Sequence, residues 1–221
     1  MATRETLYMK DTLDYIAKKF NLAFEEKSPL PIEIPNYGRN QLAQLFAQLG
    51  FKTGAEIGIL TGEFSEVLVR DNPHIKLYCI DPWQAYDDYK DEKHQKAFDT
   101  YYQAAKDRLA PYNCQIIRKY SLDAAKDFPD QSLDFVYIDG NHNLQNVIND
   151  IAVWSKKIRV GGIISGHDYK LSKPSIKIHV YQAVNAYTDA YEVRPWFVLG
   201  SYSKKPGTIR DLSRSWMWAK N

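Results

Sequence analysis

The 221 residues include only two cysteines and three methionines, and no apolar run is long enough to span a bilayer. Two thiols make no disulfide framework, and Cys79 and Cys114 each sit in an apolar, strand-like run, so the cytoplasm is the expected location. Neither a secretory signal nor membrane insertion is expected. A surplus of either charge is also missing. With 29 basic against 27 acidic residues the net charge is +2, so nothing calls for a polyanionic partner, and nucleic acid is not expected. The basic residues between Lys204 and Lys220 read as a solvated edge. Internal repeats are absent too. What remains is a globular composition, 44% hydrophobic, at a length that suits one α/β domain over residues 1–221.

The chain is organised around Gly54-Ala55-Glu56-Ile57-Gly58-Ile59-Leu60-Thr61-Gly62. Ala55, Ile57 and Ile59 predict a short buried strand, and Phe64, Val67 and Leu68 begin a helical stripe, so the glycines fall in a strand-to-helix turn. Cofactors bind at such turns. A dinucleotide site wants G-x-G-x-x-G, with the pyrophosphate on the helix N-terminus. Here the spacing is Glu56-x-Gly58-x-x-x-Gly62, with a carboxylate two residues before the first turn glycine. That suits a ligand carrying an ammonium group, and it resembles motif I of the class I S-adenosylmethionine-dependent methyltransferases.

Upstream, Leu13, Ile16 and Phe20 predict a helix, and Pro29, Pro31 and Pro35 an extended connection, so residues 1–39 read as an added N-terminal helical extension. Leu42, Leu45, Phe46 and Leu49 then mark a helix stopped by Gly50. Downstream, the strand Lys76 to Ile80 ends at Asp81-Pro82-Trp83, where α/β nucleotide-binding folds hold a ribose. Asp81 is the candidate acceptor for both ribose hydroxyls. Trp83 either flanks an adenine face or packs. Residues 84–110, with Tyr86, Tyr89, Phe98, Tyr101 and Tyr102, form a helical insertion that is either a lid or acceptor wall, or a solvated helix resting its aromatics on the domain. A strand from Cys114 to Ile117 leads to Ser121. The next, Leu133 to Ile138, ends in Asp139-Gly140-Asn141-His142, and Ile163-Ile164-Ser165 ends at His167-Asp168. Two aromatic strands close the chain, near 196–201 and 215–219. Strands alternating with helices predict a doubly wound, mostly parallel sheet, whose ligands bind beyond the carboxyl ends of the strands. Every polar cluster just named lies there.

Over nearly its whole length the chain resembles a family of small class I methyltransferases, the cephalosporin-hydroxylase-like and sugar O-methyltransferase group. The likeness rests on Glu56-Ile57-Gly58 with Thr61-Gly62, Cys79-Ile80-Asp81-Pro82-Trp83, Tyr120-Ser121, Tyr137 to His142, Gly161 to Tyr169 and Ser215-Trp216-Met217-Trp218. It implies a Rossmann-like sheet of seven strands, mostly parallel, closed by a C-terminal antiparallel hairpin. It also implies S-adenosyl-L-methionine as cofactor: Glu56 and Gly58, with Thr61 and Gly62 in the same turn, at its methionine end, Asp81 at the ribose with Trp83 beside it, Ser121 at the adenine edge, and Asp139 at the cleft.

A looser resemblance, to metal-dependent catechol-type O-methyltransferases, matches Asp139 to a metal ligand and puts His167-Asp168 in the place of an Asp-Asn pair. Asp139, His167 and Asp168 would then form a site for Mg2+ or another divalent ion. His142 stands where those enzymes keep a lysine base, so His142, Asp139 and His167 are the catalytic candidates. The activity expected is O-methylation of a hydroxyl on a small molecule or a sugar or glycan. The alternatives are a non-haem iron hydroxylase built on Asp139, His142, His167 and Asp168, or a non-catalytic methyltransferase-like subunit. A homo-oligomer is compatible with the sequence, which specifies none.

Overall fold

A computed structural model of the chain describes residues 4–25, 27–84, 92–172 and 178–221. The elements run α1 (Arg4–Phe20), β1 (Ile32–Ile34), α2 (Arg39–Gln48), β2 (Thr53–Ile57), α3 (Glu63–Asp71), β3 (Lys76–Ile80), α4 (Glu92–Leu109) and β4 (Cys114–Ile117). There follow α5 (Ser121–Ala124), β5 (Leu133–Ile138), α6 (Leu144–Lys157), β6 (Ile158–Gly166), α7 (Val180–Ala190), β7 (Phe197–Leu199) and β8 (Ser215–Ala219). The strands form one sheet in the order β1-β7-β8-β6-β5-β2-β3-β4. Only β8 runs against its neighbours; every other pair is parallel. The mixed sheet with its antiparallel closing hairpin is therefore as expected.

The sheet has eight strands rather than seven, because the segment among the prolines pairs. β1 lies at the sheet edge beside β7, and Ile32 donates to Trp196 O at 2.9 Å. Proline lacks a ladder donor and is tolerated only at an edge, which is where Pro31 and Pro35 flank this strand. The N-terminal extension accordingly contains one helix and one strand. α1 packs on β6, where the Thr12 hydroxyl donates to Gly161 O at 2.7 Å.

Helices cover both faces. On one, Ile16 and Phe20 of α1, Leu42 and Phe46 of α2, Phe64 and Leu68 of α3, and Leu109 of α4 share a core with Phe135 and Tyr137 of β5. On the other, Val147, Ile151 and Trp154 of α6 and Val184 of α7 pack against Val136 and Ile138. β5 is buried along its whole length, as a central parallel strand must be. The Phe46 ring stacks on Phe135 with centroids 4.0 Å apart, and Gly54 leaves the room: a Cβ there would come within 2.2 Å of the Phe135 ring. Among the described residues no helix is long and apolar enough to cross a membrane.

The last rungs of the parallel ladder hold the residues just beyond the strands. Gly58 donates to Ile80 O (2.8 Å), Asp139 to Ile57 O (2.7 Å), Asp81 to Ile117 O (3.2 Å) and His167 to Ile138 O (3.0 Å). These four backbones are thus fixed before any ligand arrives.

Candidate active site

A cleft of about 250 Å³ opens at these strand ends. Gly58 and Leu60 of the first turn, Asp81 and Pro82 after β3, Phe98 of α4, Ser121 at the start of α5, Asp139 after β5 and Asp150 of α6 are among its walls. The sequence thus brings Gly58, Asp81, Ser121 and Asp139 to one cavity.

Asp81 stands one residue beyond its strand. Its Oδ2 accepts from Leu60 N at 3.0 Å and its Oδ1 from Trp83 N at 2.8 Å. Burial lifts its pKa, against the pull of those N–H donors. The carboxylate therefore pins the glycine turn to β3 while each oxygen keeps a further lone pair. Gly58 has φ +85°, and a Cβ there would lie 2.3 Å from Asp139 O and 2.5 Å from Gly140 Cα. The close approach of β2 and β5 there already requires a glycine.

Three other turn residues differ from expectation. Gly62, at φ +75°, starts α3 and faces Leu109 of α4, so its freedom serves the turn and helix packing rather than ligand approach. Thr61 is half-buried and does not line the cleft. Glu56 lies within β2 and is 2% exposed, and its Oε2 accepts the Ser65 hydroxyl at 2.5 Å. Burial raises its pKa to about 8, although the Ser65 hydrogen bond opposes this. A position one residue inside the strand sets its carboxyl into the core, whereas Asp81 escapes past the strand end.

Trp83 is no cleft wall. It is fully buried, its Nε1 donates to Leu60 O at 2.7 Å and its ring lies 4.8 Å from that of Tyr102 on α4. It packs, and it braces the glycine turn from behind. Within the expected insertion, α4 contributes Phe98 to the cleft, and Arg118 pairs with Asp99 at 2.7 Å. Tyr86 and Tyr89 lie outside the described residues.

Behind the cleft wall at Asp139, His142 Nε2 is 3.3 Å from Asp139 Oδ1 and 3.1 Å from Asp168 Oδ2. Burial disfavours the charged ring, but the Asp139 hydrogen bond and the Asp168 charge outweigh it, and the His142 pKa is raised. Burial likewise pushes Asp168 up, and Lys170, 2.5 Å from its Oδ1, with His142, brings it below the usual range. Asp139, His142 and Asp168 each offer one ligand atom within 4.8 Å of the others. His167 is outside this set, its Nδ1 reaching only the other Asp139 oxygen at 3.5 Å. The expected ligand trio thus exchanges one histidine for the other. Asp168 has left-handed backbone (φ +56°), and it is His142 that its carboxyl meets. Helix capping is left to Asn143, whose Oδ1 accepts from Asn146 N at 2.9 Å.

Asp150 escaped sequence reasoning. It is 4% exposed, its Oδ1 accepts the Ser121 hydroxyl at 2.5 Å, and Ser121 in turn accepts from Trp154 Nε1 at 2.8 Å. Ser121 thus uses its hydroxyl proton on Asp150 and presents what remains to the cleft. Burial raises the Asp150 pKa to about 6. The available signal was a carboxylate on the buried stripe of α6, between Val147 and Trp154.

Residues 55–169 match the profile of a family described as a methyltransferase domain. The chain belongs to that methyltransferase family. The match runs from within β2 to beyond β6 and includes every candidate discussed. The methyltransferase chain is 31% identical over 104 residues to the uncharacterized protein R132 of Acanthamoeba polyphaga mimivirus, a match covering 44% of this chain and 47% of that protein. It therefore spans about half the length of this curated relative. Two solved structures share the fold. One is the O-methyltransferase TomG of Streptomyces achromogenes, involved in tomaymycin synthesis and bound to S-adenosylmethionine (TM-score 0.58, 15% identity, 100% of this chain and 92% of that one). The other is an O-methyltransferase of Bacillus cereus in complex with S-adenosylhomocysteine (TM-score 0.55, 17% identity, 97% and 91%).

Proposed function

We propose that the protein is an S-adenosylmethionine-dependent O-methyltransferase of the cytoplasm, acting on a hydroxyl of a small molecule or of a sugar or glycan. The observation that carries this is the double membership of Asp139: it lines the cleft that holds Asp81 and Ser121, and it pairs with His142. A cofactor site and a proton-handling site therefore share a wall. Family membership, two fold relatives that bind this cofactor or its product, and two free cysteines support the reading.

Bound cofactor supplies an electrophilic methyl group on a sulfonium for in-line displacement. The Asp81 lone pairs left over from Leu60 and Trp83 suit a vicinal diol. Across Asp139, the carboxylates on His142 Nε2 favour the tautomer protonated there, leaving the Nδ1 lone pair to take the acceptor's hydroxyl proton. Asp139 and Asp168 then stabilise the imidazolium, as the acid does in a catalytic triad.

A second reading follows from the same three groups, whose donor atoms fit a divalent cation. The imidazole favours a transition ion over Mg2+, and Lys170 already holds one oxygen of Asp168, which leaves one donor from each residue. Such an ion would acidify the hydroxyl. Calorimetric titration with S-adenosylhomocysteine, followed by methyl-transfer assays on hydroxyl acceptors with and without EDTA, tests both. Binding is expected. Failure of the folded protein to bind it would remove the cofactor reading, and activity surviving EDTA would remove the metal.

A further inference from the structure

Arg39, the first residue of α2, lies beside the glycine turn. Its guanidinium carbon is 5.2 Å from the centre of the Phe64 ring, which is 4.5 Å from that of Tyr137, itself 6.4 Å from the His167 ring. Arg39 is half-buried, yet among the described residues no carboxylate is paired with it. The other arginines withdrawn from solvent are treated differently. Arg108 pairs with Glu66 (3.7 Å), Arg159 with Asp134 (2.7 Å) and Arg214 with Glu33 (2.9 Å). Arg39 has a ring face alone, which holds a guanidinium in place without using its N–H donors on an anion.

A partly desolvated cation with uncommitted donors, set over the first turn of α3 and within electrostatic reach of Tyr137, is a receptor for a planar anion. We propose that Arg39 binds the carboxylate of the methionine end of the cofactor. That end is a zwitterion, and Arg39 brings to the turn a positive charge for its carboxylate. The assignment gives Arg39 a task that Asp81 and Ser121, placed around the nucleoside, do not share. It rests on the cleft being an S-adenosylmethionine site.

The test pairs two ligands with two proteins, as a double-mutant cycle does. Calorimetry compares S-adenosylhomocysteine with its decarboxylated analogue, which keeps the adenosine, sulfur and ammonium, on the wild type and on Arg39→Met. The wild type is expected to prefer the carboxylate ligand by about 10- to 100-fold, the scale of a hydrogen bond between charged groups. Arg39→Met should lose this preference while binding the decarboxylated analogue like the wild type, and Arg39→Lys should regain part of it. A wild type with no preference overturns the assignment and needs no variant. So does an Arg39→Met protein that keeps the wild-type preference, including one whose only defect is a raised KM for an anionic acceptor. If the wild type binds neither ligand, the cofactor reading has failed and Arg39's role with it.

Discussion

Aspartates at the two ends of the candidate site are treated in opposite ways. At one end Asp81 and Asp150 are met by neutral donors, backbone N–H groups and a serine hydroxyl, and burial lifts both pKa values. At the other end Asp168 faces a lysine and a histidine, and its pKa is lowered despite burial. One end accepts hydrogen bonds from uncharged polar groups, and the other stabilises positive charge. The same side chain thus stands in two dielectric and ionic settings.

The sharpest break in that contrast is at His142. His142→Ala should cut turnover by about 100- to 10,000-fold, the usual cost of removing a general base, while S-adenosylhomocysteine binds as before. Turnover within a few-fold of wild type on the true acceptor would put proton transfer elsewhere.

Asp150 gives the next largest effect, on stability. Its folded pKa of about 6 is above the ordinary aspartate value of 3.8, so the folded state holds the proton more tightly than the unfolded state. The stability this confers is full below pH 3.8 and is lost as pH rises through about 6. At 1.36 kcal/mol per pKa unit the loss approaches about 3 kcal/mol. Asp150→Asn, fixed in the uncharged form, should therefore gain stability relative to wild type between pH 4 and pH 7.5 in urea melts. A difference that does not change with pH would show that Asp150 titrates normally.

The smallest effect belongs to Asp81. Asp81→Ala should weaken cofactor binding by about 1 to 3 kcal/mol with the fold retained. An unchanged dissociation constant would take it out of the site.

How much of this was legible depended on where each residue stands relative to a strand end. Asp81, Asp139, His142 and Asp168 lie beyond their strands, so alternation and turn chemistry located them. Glu56 lies one residue inside, and whether its carboxyl opens to the cleft depends on Ser65, which reaches it from the next helix. Trp83 carries no periodic signal, and Asp150 interrupts one. β1 was hidden because prolines argue against strands, and only its partner β7 shows the edge position that makes it permissible. The choice between the two histidines rests on the Asp168 backbone, which residue order does not report.

The pairing of β1 with β7 bears on how the protein is made. Ile32, Glu33 and Ile34 align with Phe197, Val198 and Leu199, so β1 waits for a partner made much later. Closing so long a loop is slow, and α1 lacks its main partner until β6 emerges. The central strands β2 and β3 are consecutive in the chain and pair with no such delay. Synthesis should therefore pair β2 with β3 early and add the β1 edge late.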